Sequence, residues 1–396
     1  MPHRGLVCGL LAAVLSGPSC APRAAAEAVA DAAAGLYPSV LLFHKPHHIN
    51  GPEQVRRAAD LGFRKVHIVV TLHCELSADF QVQRFGTLAG QRFVPLTDDS
   101  LGRFLDSLRR TFATAADEQL EVAITAHLNA AGAIVEWRNH MRFDPLADYE
   151  GYSYQTALID SIAAAAAAEL PADAHVSFSL CGEMGRSVFE HPQSYAKVID
   201  DLRARTTGPQ WQLGVSLNFT EVAGEARPTE RRQASMSALL AKSDFLGLSD
   251  YRPFDLPPDA RGFALAVREL YAALDAWGVA GHRDLPLEIT EVGLGGGAGG
   301  NQPALSPAEA AQQPWEGVAS ARRNPWITDE MRGFRRAFHA ALLEFLTQPP
   351  ADTPVRDAYM WSELSWDPLD LVDRGFADEE IAAAIRAHND TVRGSE

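Results

Sequence analysis

A single (β/α)8 TIM barrel is the fold predicted for this chain, on three observations. Short β-rich runs alternate with amphipathic helical segments eight times between residue 36 and the C-terminus, the order that wraps a parallel sheet in helices. The polar residues collect where the runs end, which is where a barrel builds its site. The chain has 396 residues, 46% of them hydrophobic, enough for one large core.

The first run is Ser39-Val40-Leu41-Leu42-Phe43, ending at His44. Pro52 to Leu61 reads as a helix, with proline at its start and Gly62 just past its end. Lys65 to Leu72 is the second strand, and a long connection carries Phe80 to Leu96. Thr97 to Ser100 supply capping residues for a helix whose Leu101, Phe104, Leu105, Leu108 and Phe112 form one apolar stripe. Leu120 to His127 is strand three, followed by a loop with Trp137-Arg138-Asn139 and a helix over Tyr154 to Ala168. Strand four is Val176 to Gly182, ending in Glu183, with a helix over Pro192 to Arg205. Gln212 to Asn218 is strand five, with Gln233 to Lys242 its helix. Strand six, Asp244 to Ser249, ends in Asp250-Tyr251, and Phe263, Val267, Leu270, Leu274 and Trp277 mark the clearest helix, closed by Gly278. Leu287 to Val292 is strand seven, carrying Glu291 at its tip and breaking into a mobile glycine-rich loop from Gly293 to Gly300. Asp329 to Leu346 is the next helix, Ala358 to Leu364 strand eight, and Glu379 to Ala387 the last helix. The strands read as continuous apolar runs, as in a sheet covered on both faces.

Residues 1 to 26 read as a signal peptide: Arg4, an apolar run from Leu6 to Leu15, a break at Gly17-Pro18-Ser19 and a small-residue stretch at Ala24-Ala25-Ala26. The expected location is secreted or periplasmic. A lipid-modified Cys20 is the competing reading, weakened by Gly17 where a lipoprotein signal has leucine. No segment is long and apolar enough for a permanent membrane span. A net charge of −16 argues against a nucleic-acid partner. After cleavage only Cys74 and Cys181 remain, expected as ordinary small buried groups. Gly293 to Gly300 lacks the lysine of a phosphate loop, so no cofactor is expected. The chain is expected to act as a monomer.

Two strands that each deliver a glutamate and then glycine suggest carboxyl groups facing each other across one cleft. That pair is the equipment of a glycoside hydrolase: one protonates the leaving oxygen while the other attacks or activates water. In a retaining site the two stand roughly 5 to 5.5 Å apart, and charge on one raises the pKa of the other. Glu183 and Glu291 are the candidates. Strict alternation puts Glu288 and Glu291 on opposite faces, so Glu288 is expected lower in the strand, in a buried pair or facing the helices. Tyr251 is placed to hold the nucleophile. His44, His127, Asn129, Trp137, Arg138, Asn218 and Asp250 are candidate hydroxyl-binding groups, and Trp361 and Trp366 a floor for a sugar ring.

Glu183 after strand four, Asp250-Tyr251 after strand six and Thr290-Glu291-Val292-Gly293 on strand seven resemble the clan A retaining glycoside hydrolases, and within them the family 113 β-mannanases. Pro95 to Asn129, Trp137-Arg138-Asn139, Phe245 to Pro253 and Ile289 to Gly293 carry the likeness, with the strand-seven motif the tightest. The resemblance implies Glu183 as acid/base, Glu291 as nucleophile, and endo-cleavage of a β-linked polysaccharide or oligosaccharide such as mannan. One departure stands out. The clan places Asn before the acid/base, where it binds the sugar 2-hydroxyl, and this chain has Gly182. Restoring Asn there is expected to raise kcat/KM, unless another residue, His127 or Asn129, already occupies the space. Two other readings compete: a non-catalytic carbohydrate-binding barrel, and a metal-dependent barrel hydrolase drawing on His44, His47, His48, His73 and His127. The second lacks histidine at the ends of strands five and six, so no metal is expected.

Overall fold

The structure is a computed structural model that describes residues 33–43, 50–90, 92–205, 207–372 and 374–393. The expected signal segment, Cys20 and His44 lie outside them. Ten strands form one sheet, and eight of these close on themselves. The closed strands are β1 (Gly35–Phe43), β2 (Lys65–Leu76), β5 (Glu121–Ala130), β6 (His175–Gly182), β7 (Gln210–Asn218), β8 (Phe245–Asp250), β9 (Leu287–Val292) and β10 (Val355–Met360). All pair in parallel, and β1 meets both β10 and β2, which shuts the barrel.

Between β2 and β5 the expected long connection is an antiparallel ribbon, β3 (Val82–Ala89) and β4 (Arg92–Pro95), which extends the C-terminal end of β2. Val82 and Phe85 both reach the core although they stand three apart, because the β2–β3 register shifts between Arg84 and Val82. Strand eight ends earlier than expected, at Met360, which leaves Trp361 and Glu363 in the loop beyond it.

The α-helices among the described residues are α1 (Gly51–Asp60), α2 (Asp98–Asp117), α3 (Asp160–Glu169), α4 (Gly185–Glu190), α5 (Pro192–Arg203), α6 (Glu230–Leu240), α7 (Ala260–Trp277), α8 (Pro307–Gln312), α9 (Asp329–Thr347) and α10 (Glu379–Arg393). Their ends follow local chemistry. Thr97 and Ser100 form a capping box on α2. Asp259 caps the first turn of α7, and Gly278 closes it in the left-handed conformation at φ 79°.

The two faces of the strands differ, which corrects the expectation of runs apolar on both sides. Outward-facing Val66, Ile68, Val70 and Leu72 on β2, and Val122, Ile124, Ala126 and Leu128 on β5, join the helices in the main hydrophobic core. The alternate residues are small or polar and bond across the lumen. Ser39 Oγ lies 3.0 Å from His67 Nδ1, and His67 Nε2 lies 2.8 Å from Thr125 Oγ1. Burial drives the His67 pKa down to about 3, so the ring is neutral. At the base, Glu288 accepts from Ser177 Oγ at 2.9 Å and from Arg356 Nε at 3.0 Å. Glu288 therefore sits in the expected buried pair, but inside the barrel and not on the opposite face from Glu291.

Candidate active site

The reason both glutamates of β9 reach the lumen is a β-bulge. Leu248 pairs with Ile289 and Ser249 with Glu291, so β9 carries one residue more than β8 at its tip. The extra residue breaks the period of two and turns Glu291 inward. Strand β6 also carries a bulge, with Ser179 paired to Gly214 and Gly182 to Ser216, which turns Gly182 toward the lumen one residue before the glutamate. Glu183 follows with φ 56°, a left-handed conformation that costs a non-glycine residue roughly 1 kcal/mol or more. Its amide is held by the carbonyl of Ser216 at 3.2 Å.

Both glutamates line one cavity of about 800 Å³ at the C-terminal mouth of the barrel, together with Asn129, Trp137, Arg138, Asn218, Tyr251 and Trp361. Phe219, Thr220, Pro253, Trp315, Glu363 and Trp366 complete its wall. Of these, Phe219, Thr220 and Pro253 were not among the expected site residues and are brought there by the fold. A second cleft, about 390 Å³, shares Tyr251 and continues along Arg252 to Phe263. Asp250 lines that second cleft instead of the main cavity, accepting from the Arg252 amide at 3.1 Å. His127 is wholly buried behind the cavity wall.

The glycine-rich segment after β9 is packed where a mobile loop was expected, with Gly293 to Gly297 buried. A Cβ on Gly295 would lie 2.0 Å from the Glu316 carbonyl oxygen, and one on Gly296 would lie 2.5 Å from the Trp326 ring. Glycine is needed there because the backbone runs against two indoles; the second, Trp366, is anchored by its Nε1 on the Pro314 carbonyl at 3.1 Å.

Glu183 accepts three hydrogen bonds. Arg138 Nη1 donates to Oε2 at 2.9 Å, Trp137 Nε1 donates to the same oxygen at 3.4 Å, and Asn218 Nδ2 donates to Oε1. Arg138 also holds Asn129 Oδ1, at 2.9 Å through Nη2. Burial raises the Glu183 pKa, charge on Glu291 raises it further, and Arg138 works against both. Burial also lifts Glu291, to about 7, with Arg138, Ser249 and Tyr251 opposing. Tyr251 donates to Glu291 Oε2 at 3.4 Å, and burial with the adjacent Glu291 charge keeps the phenol protonated. Both carboxyl groups are buried, and the charge on Glu291 favours a proton on Glu183.

Gly182 overturns one expectation. A Cβ at this position would stand 2.1 Å from His127 Nε2 and 2.3 Å from Cδ2, so Gly182→Asn meets an occupied space and is expected to lower activity. Cys74 and Cys181 are free and buried; burial pushes the Cys181 thiol up to about 12, which keeps it unreactive. Among the described residues no group of His, Cys, Asp and Glu is arranged to hold a metal, and no helix is long and apolar enough to cross a membrane.

No family model and no curated protein matches this chain by sequence. Solved structures do. A GH113 β-1,4-mannanase is 11% identical, superposes with a TM-score of 0.52, and covers 91% of this chain and 99% of its own. The GH113 β-mannanase AaManA from Alicyclobacillus acidocaldarius, solved in complex with ManMIm, is 15% identical with a TM-score of 0.50, over 90% of this chain and 97% of its own. The chain therefore has the (β/α)8 barrel fold of GH113 β-mannanases over nearly its whole described length, at an identity where the likeness establishes the fold and leaves the chemistry to the site itself.

Proposed function

We propose that this protein is a retaining glycoside hydrolase that cleaves β-linked glycans, with Glu183 as acid/base and Glu291 as nucleophile. The observation that carries the reading is the meeting of two buried carboxyl groups, one of them raised by the charge on the other, in one cavity walled by Trp137, Trp315, Trp361 and Trp366. Indole faces suit the apolar faces of sugar rings, and the donors on Asn129, Arg138 and Asn218 suit their hydroxyls. The adjoining cleft past Tyr251 offers room for sugars on either side of the scissile bond, which favours endo-cleavage of a chain such as mannan. Export by the N-terminal segment would bring the enzyme to such a substrate.

In the first step Glu291 Oε attacks the anomeric carbon while Glu183 gives its proton to the departing glycosidic oxygen. In the second, Glu183 takes a proton from water, which attacks the same carbon and releases Glu291. Burial raises both carboxyl groups, Glu291 to about 7, and the charge on Glu291 raises Glu183 further, which suits a proton on Glu183 and a charge on Glu291; Arg138 opposes burial at both.

The test is a 2-fluoro-mannoside with a good leaving group, followed by intact mass and peptide mapping. Sugar added to Glu291 is the expected result. Label on Glu288, or oligosaccharide binding with neither label nor cleavage, would favour a different nucleophile or a binding protein respectively. Activity that disappears after EDTA treatment and returns with zinc would establish the metal-dependent alternative.

A further inference from the structure

The space above Gly182 belongs to a residue whose polar atoms have no evident structural use. His127 is fully buried, its ring lies 5.9 Å from that of Trp361 at an interplanar angle of 22°, and neither ring nitrogen has a hydrogen-bond partner among the described residues. Leaving both nitrogens of a buried imidazole unmatched is costly, so such a group calls for an explanation. Its Nε2 lies 2.8 Å from Glu291 Oε1, an oxygen that also lacks a hydrogen-bond partner among the described residues. The approach is off-axis, as catalytic contacts often are before substrate arrives.

We propose that His127 is a positioning residue for the nucleophile, its Nε2 carrying the ring proton that Glu291 Oε1 accepts once substrate aligns the pair, and that Gly182 lacks a side chain because the imidazole occupies that place. This deepens the glycosidase reading and rests on it for its catalytic consequence, although the contact itself does not. Burial and the Arg138 cation hold the imidazole neutral, so it carries one ring proton. Only two arrangements make a 2.8 Å contact favourable: Nε2–H donating to the carboxylate, or a protonated Glu291 donating to a bare Nε2. The first yields an ionised, oriented nucleophile with Tyr251 on Oε2; the second yields an inert carboxylic acid. The groups facing Glu291 are His127 from β5, Ser249 and Tyr251 from β8 and the segment after it, Arg138 from the loop after β5, and Glu183 from the end of β6.

Two measurements decide it. In protein labelled with 15N-histidine, the His127 resonances at pH 8.5, assigned by their loss in His127→Gln, should report the Nε2–H tautomer. An Nδ1–H tautomer or an imidazolium overturns the proposal, whether or not the protein cleaves any glycan. In kinetics, His127→Phe keeps an aromatic ring against Trp361 but removes the donor. It should lower kcat roughly tenfold to a hundredfold with KM changed less than about threefold, and move the acidic limb of the kcat/KM profile to higher pH. His127→Gln, which keeps an N–H, should recover part of both. An unchanged limb and kcat in His127→Phe overturns the positioning role. Absence of all turnover with the Nε2–H tautomer present sinks the glycosidase reading and leaves the contact standing.

Discussion

Arg138 is the cation that acts on both carboxyl groups of the site. Its guanidinium donates to Glu183 Oε2, and it is the main charge opposing burial at Glu291. Removing it, as in Arg138→Met, raises the Glu183 pKa, since a cation beside a carboxylate favours ionisation. The alkaline limb of kcat/KM, which reports the acid, is then expected at higher pH, at the cost of weaker sugar binding. A limb that stays in place would mean that Arg138 leaves Glu183 untouched in the reactive state. Glu183→Ala tests the other half. It should cripple glycosides with poor leaving groups far more than activated aryl glycosides, and azide should restore turnover by attacking the glycosyl-enzyme in the space vacated. Equal loss on both substrate types without rescue would remove Glu183 from the acid/base role.

At the scale of the element, the site is made by interruptions of regular strands. The bulge at the tip of β9 brings Glu291 into a lumen from which the pleat would otherwise have turned it, and Glu183 enters at φ 56° behind a second bulge on β6. The helices are conventional by contrast, and their ends can be assessed one by one. Gly278 sits at φ 79°, and a Cβ there would also meet the end of the flexible Gln233 side chain at 2.7 Å. Gly278→Ala should therefore destabilise by about 1 kcal/mol or slightly more, read as a lower urea midpoint with an unchanged m value. An unchanged midpoint would show that the α7 terminus relaxes without cost.

Across the whole molecule, the barrel tolerates an unusual load of buried ionisable groups. Arg335 is 1% exposed, donates to the carbonyls of Phe376 and Ser365, and lies 4.9 Å from the Trp326 ring, tying α9 to the loops that carry Trp366. Burial raises Asp250 to about 7, above the value of roughly 3.9 for an unfolded chain. A carboxyl group raised in the folded state carries no penalty below the unfolded pKa and its full penalty above the folded one. Its contribution to stability therefore falls as pH rises from about 4 to about 7, with a ceiling of about 4 kcal/mol. Asp250→Asn keeps an acceptor for the Arg252 amide and removes the titration. The difference in Tm, mutant minus wild type, should grow between pH 4 and pH 7 and then level. Comparing the two proteins cancels buried His67 and His339, which are lowered and act in the opposite sense, losing stability as pH falls below about 6.5. A constant difference would place Asp250 in contact with solvent.

The alternation of eight strands with helices, the caps at Thr97 and Gly278, and the glutamates at two strand tips all follow from local chemistry, which is why they were legible in the sequence. The lumen was also written there, as His67, Val69, Thr71 and His73 against Val66, Ile68, Val70 and Leu72, but a high overall apolar content masked the alternation. The ribbon of β3 and β4 is not legible because β4 has only four residues and a register shift in β3 removes the period of two. Tertiary structure alone decided three things. The bulge on β9 lets Glu288 and Glu291 share a lumen, because one extra residue reverses a period of two without leaving a mark in composition. The contact of His127 with Gly182 joins residues 55 positions apart, and only closure of the barrel shows that the glycine is complemented by a ring. The packed state of the glycine-rich segment depends on Trp326 and Trp366 arriving from later in the chain, since glycine by itself serves a mobile loop and a close approach equally well.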